Sequence, residues 1–146
     1  MKLNNECVRD TLLYLEDKLT LNFQQRTFNF VNVKTLIEEM MITHISYESD
    51  EIWYVVYHLK QAGFIEGRFE NAARGKMYVC EIESITWAGH QFLDSIRPDT
   101  VWDAVKATFD RMGGVSISGL SIAATSIIQS LASNHDLIQS IVQKLL

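Results

Sequence analysis

Residues 49–69 read SDEIWYVVYHLKQAGFIEGRF, and no other stretch of the chain leaves the backbone so little choice. Ile52, Val55, Val56 and Leu59 fall at the three-and-four spacing that gathers apolar side chains on one face of a helix. Ser49 is the expected N-cap, with Asp50 and Glu51 in the first turn, where the positive end of the helix dipole favours carboxylates. Gly63 can adopt the left-handed conformation that ends a helix, and Phe64 and Ile65 open a strand at once. The glycine therefore turns the chain from helix to sheet.

The elements around this junction follow from the same two periodicities. Val8, Leu12, Leu15 and Leu19 predict a first helix capped by Asn4 or Asn5. RTFNFVN alternates apolar and polar residues, so Phe28 and Phe30 indicate a short strand or extended link. Asn32 opens a helix with Val33, Leu36, Ile37, Met40 and Met41 on one face. FIEGRF, the polar loop ENAARGK and MYVCEIESIT predict a hairpin with Tyr78, Cys80 and Ile82 turned inward. Thr86 caps a fourth helix in which Gly89 permits close approach, and Pro98 interrupts it. Asp99 is the expected cap of a fifth helix carrying Trp102, Val105, Phe109 and Met112. This is a mainly α chain with a small β-hairpin, an α+β fold: a winged helix-turn-helix body over residues 1–97 and a helical C-terminal tail over 98–146.

Three segments, MKLNNECVRD, YHLKQAGFIEG and ITWAGHQFLDSIRPD, carry a resemblance. With them the chain resembles, over nearly its whole length, a family of small uncharacterised bacterial and prophage proteins catalogued as a domain of unknown function. The resemblance implies no catalytic or binding residues. ITWAGHQFL also looks like the strand-to-helix exit of winged-helix regulators, which often read Leu-Thr-x-x-Gly. That supports a fold and leaves function to the residues themselves.

Charge argues against binding nucleic acid in bulk. The chain carries a formal charge of -5, and residues 1–97 hold 10 Lys and Arg against 14 Asp and Glu, a net of -4. A DNA reader would present Asp50, Trp53, Tyr54, Tyr57 and Gln61 on the outward face of its third helix, with Lys60 beside them. Only Arg68, Arg74 and Lys76 around the wing, helped by Lys60 and Gln61, offer a nucleic-acid contact. Trp53, Tyr54 and Tyr57 suit a protein interface better, since aromatic side chains dominate such contacts; packing within the chain is the competing reading.

The tail is unusual because residues 112–135 contain no formally charged side chain, taking His as neutral. Ile117, Leu120, Ala124, Ile127 and Leu131 form an apolar seam that Ile138, Ile141 and Leu145 continue, beside the small residues Ser116, Gly119, Ala123, Ser126 and Ser130. The seam, with Ala123 allowing close approach, points to a homo-oligomer. Packing on its own chain and assembly in a membrane are the other readings, the last weakened by the many serines.

Little here suggests catalysis. GGVSISGLS lacks the lysine of a phosphate loop, and His44, His58, His90 and His135 are scattered without metal-ligand spacing. Cys7 and Cys80 stand far apart and are expected as reduced, buried thiols. MKLNNECVRD lacks the apolar run of a signal peptide, which points to the cytoplasm. The expectation is a non-catalytic regulator or adaptor with no metal or cofactor, binding a protein partner and self-associating through its tail. A sequence-specific DNA-binding regulator and a membrane-active effector are the alternatives.

Overall fold

The computed structural model describes residues 1–71, 77–114, 116–133 and 142–145. The chain is mainly helical with small antiparallel sheets, an α+β fold. In order its elements are α1 (Asn5–Lys18), β1 (Thr20–Asn22), β2 (Thr27–Asn29), β3 (Val31–Asn32), α2 (Val33–Thr43), α3 (Ser49–Gln61), β4 (Ile65–Asn71), β5 (Met77–Ile85), α4 (Trp87–Ile96), α5 (Asp99–Arg111) and α6 (Ile117–Ser133). Contacts divide it into two compact units, Leu3–His90 and Gln91–Leu146, so α4 begins in one and ends in the other.

In the first unit α1 and α2 both pack against α3. Ile52, Val55, Val56 and Leu59 are fully buried, as are Val8, Leu12, Leu15, Leu36 and Met40. Asn4 caps α1 through the Cys7 N–H (3.2 Å), and its amide also donates to Glu51 (3.2 Å), tying the starts of α1 and α3. Asn32 caps α2 by accepting from Lys34 N–H (2.9 Å). The N-cap of α3 is Glu48 rather than Ser49, because Glu51 reaches back to accept the Glu48 N–H (3.0 Å) and starts the helix one residue earlier.

At the helix-to-strand junction Gly63 has φ +74, in the region that suits glycine. Thr86 pins it: its hydroxyl donates to the Gly63 carbonyl (2.6 Å) and accepts the Gly89 N–H (3.0 Å), capping α4. A Cβ on Gly89 would stand 2.1 Å from the Phe64 carbonyl oxygen, so the glycine is what lets α4 approach.

One sheet has the antiparallel order β3-β5-β4, with Val31 opposite Ile82 and Phe69 opposite Cys80. The sequence reading of residues 26–32 as a strand or link is met by β2 and β3, but β1 adds a partner for β2, with Leu21 opposite Phe28. The β1–β2 turn holds because the Asn22 side chain accepts the Gln25 N–H (3.0 Å) while Arg26 takes a positive φ of 52.

In the second unit Val101, Trp102, Val105 and Phe109 of α5 are buried, and α5 packs against α6. Pro98, not Asp99, is the cap of α5. Its carbonyl accepts the Trp102 N–H (2.9 Å), the first bond of the helical ladder, while its missing N–H costs nothing there. Met112 is exposed at the C-cap rather than continuing the inward stripe. Gly114 lies so close to the Phe109 ring that a Cβ would fall 2.5 Å from it.

Candidate functional site

With one side of α3 committed to the core, Trp53, Tyr54, Tyr57 and Gln61 are left on its other faces. Trp53 and Tyr54 are half-buried, and Tyr57 is 41% exposed. The ring of His58 meets Tyr54 edge-on at 4.3 Å and Tyr57 at 5.3 Å between centroids. Gln61 donates its amide to the Tyr57 hydroxyl (2.9 Å). These side chains therefore hold one another in place, and Gln61, expected to reach a base edge, already has a partner.

Trp53 also forms one wall of a groove of about 580 Å³ between α2 and α3. Val33, Ile37 and Met41 supply the apolar surface of α2, and Cys80 of β5 and the charged Lys34 and Glu38, one helical turn apart, also line it. Cys80 is half-buried rather than fully buried as expected; burial raises its thiol pKa while Lys60 opposes the rise. Cys7 is fully buried, which pushes its thiol up to about 12. Both thiols are free and held in the protonated, weakly nucleophilic form.

The expected cationic wing looks different in the structure. Arg68 donates to Glu70 at 2.8 Å, and that bond is the main cause of its raised pKa. Lys60 lies 5.1 Å above the Phe69 ring. Arg74 and Lys76 lie outside the described residues. Of the two described wing-side cations, Arg68 is thus paired with a carboxylate and Lys60 rests against an aromatic ring.

A second concavity, of about 610 Å³, opens between α1 and α2 and gave no signal in the sequence. Tyr47 donates to Asp10 at 2.6 Å, His44 Nδ1 stands 3.7 Å from the same carboxylate oxygen, and Tyr14 donates to Glu39. Burial, then the bonded carboxylate, raises the pKa of both tyrosines, so each stays a hydroxyl donor. The pairs lie 37 and 25 residues apart, and only the folded chain brings them together. Their chemistry is that of tethers joining α1 to α2 and to the loop after it. Among the described residues no group of three or more His, Cys, Asp or Glu could hold a metal ion.

The tail residues divide into two sets. Ile117, Leu120, Ala123 and Ala124, expected to face a second subunit, are buried within their own chain in the packed α5–α6 pair. Ile127 and Leu131 are half-buried, and Ile122 and Ile128 are exposed. Ile138 and Ile141 lie outside the described residues. Among the described residues no helix is long and apolar enough to cross a membrane.

Over 86 residues the chain is 29% identical to a protein of Haemophilus influenzae described as uncharacterized, covering 58% of this chain and 71% of that relative. No solved structure matches it. The sequence profile of the family described as "Hypothetical protein (DUF2513)" matches residues 2–116, which takes in YHLKQAGFIEG and ITWAGHQFLDSIRPD whole. The domain-of-unknown-function family anticipated from those segments is thereby identified, and the chain belongs to the DUF2513 family.

Proposed function

We propose that this protein is a non-catalytic cytoplasmic regulator or adaptor whose body is a winged helix, and that it binds a protein partner through α3 and the α2–α3 groove. The order helix, strand, helix, helix, hairpin, helix supports the winged-helix reading, as does a sheet in which the short β3 joins beside β5. One observation carries the choice of a protein over DNA. Of the cations a polyanion would need, the two described ones are engaged, Arg68 by Glu70 and Lys60 over Phe69, while the outward face of α3 offers Tyr54, Tyr57 and the groove wall Trp53. Self-association through the tail remains part of the proposal for the outer surface of α6, where Ile122 and Ile128 are exposed.

The test is affinity capture from the native host with and without nuclease, using wild type and Tyr57→Ala as baits. A partner that survives nuclease and is lost with Tyr57→Ala supports the reading. Capture that disappears with nuclease, together with tight binding of duplex DNA that weakens steeply with salt, would replace it with the DNA-binding alternative.

A further inference from the structure

The β1–β2 hairpin leaves large apolar side chains exposed. Phe23 at its tip is 85% exposed, Leu21 61%, Phe28 55% and Phe30, just beyond β2, 56%. Leu21 and Phe28 are opposite each other in the ladder, so they share one face, while Thr20 and Asn29 bond to each other across the other (2.7 Å).

Charge is distributed along this surface with a polarity. From Thr20 to Asn32 the only charged residue is Arg26, at the tip, and among the described residues it forms no ion pair. At the base, a hollow of about 170 Å³ is lined by the apolar Leu19, Leu21, Phe28 and Ile85, with the carboxylates of Glu16 and Glu83 and the imidazole of His90 also on its walls. The surface is thus positive at one end, apolar in the middle and acidic at the other. Rotated by a two-fold axis through its middle, it is complementary to itself, which is the condition for an isologous contact.

We propose that the hairpin pairs two copies of this chain about such an axis, each tip lying over the other's base. Leu21, Phe23 and Phe28 meet across the axis, and each Arg26 enters the hollow bearing Glu16 and Glu83 of the other copy. The inference is independent of the protein-binding reading of α3, because the groove and the hairpin share no residue.

Sedimentation equilibrium of the full chain across the micromolar range tests it, with circular dichroism to confirm that each variant folds. In a chain carrying Ile128→Asp, which removes association through the exposed face of α6, the dimer is expected to persist, and adding Phe23→Asp, at an exposed tip, is expected to make that chain monomeric. Arg26→Glu is expected to weaken the dimer about tenfold, and Glu83→Arg in the same chain to recover most of that loss by restoring opposite charges across the axis. A wild type that stays monomeric overturns the proposal, as does a dimer that persists when Phe23→Asp is combined with Ile128→Asp, or a charge swap that recovers nothing. Flotation of a monomeric wild type with phosphatidylcholine vesicles, abolished by Phe23→Asp, would also overturn it and assign the hairpin to a lipid surface.

Discussion

The two hairpins of the first unit are built from the same ladder and treat water in opposite ways. In β4–β5 the apolar side chains Ile65, Ile82 and Ile85 are buried, and the edge strand β4 turns Glu66, Arg68 and Glu70 to solvent. Charges on an edge strand discourage another chain from adding to it. In β1–β2 the apolar side chains are the ones exposed, and a single arginine stands among them. Among the described residues, the first hairpin buries its isoleucines in its own chain; the second leaves its apolar face in water. Sequence periodicity marks β2 and β4 alike as extended, so the difference lies in what each ladder rests on.

The contrast is broken most strongly at its buried side. Ile82→Ala removes a fully buried side chain from the central strand and is expected to cost about 3 kcal/mol, read as a lower denaturant midpoint, whereas Leu21→Ala should cost less than about 0.5 kcal/mol. Equal losses at the two positions would mean that β1–β2 is part of the core after all. Gly67→Ala comes next. A Cβ there would lie 2.0 Å from the Glu81 carbonyl oxygen, a backbone atom that cannot swing aside, and the register already shifts between Glu66 and Gly67. The expected loss is about 2 kcal/mol, and an unchanged thermal midpoint would show that the bulge can slide to accept the methyl group.

What could be read from the sequence follows the range of the forces involved. The inward face of α3, the caps Asn4, Asn32 and Thr86, and the roles of Gly63 and Gly89 depend on neighbours a few residues away, and all are found as expected. Ser49 and Asp99 each miss the cap by one residue, because a reaching Glu51 and a helix-compatible proline carbonyl outrank propensity. β1 went unread because its turn has no glycine; Asn22 and a left-handed Arg26 do that work. Periodicity named the apolar seam of α6 but not its neighbour, and the structure brings α5 against its first turns. The Asp10–Tyr47 and Tyr14–Glu39 links are long-range pairs with no local pattern to announce them.

A smaller effect sharpens the functional half of the comparison. Arg68 and Glu70 are both well exposed, so Arg68→Ala should change stability by no more than about 0.5 kcal/mol. If the protein-binding reading holds, its retention on duplex DNA at low salt should not change either. A clear drop in DNA retention would show that the Glu70 pair opens for phosphate and would return β4–β5 to the role of a DNA-contacting wing.

The last small change in stability has opposite signs in the two assays. Arg26 holds φ at 52, a conformation that costs a non-glycine residue free energy, and glycine accepts it without that strain. Arg26→Gly should therefore stabilise the folded chain slightly, by about 0.5 kcal/mol after the extra flexibility of glycine in the unfolded state is set against the relief. The same substitution removes the only charge of the hairpin and should weaken the dimer. A chain that gains stability while losing association would show that arginine sits at the tip for what it contacts in a second copy, since its own backbone is better served by glycine. If both quantities fall, Arg26 supports the turn itself through contacts of its long side chain, and the charge argument for pairing fails; if association is untouched, the tip does not reach the acidic base.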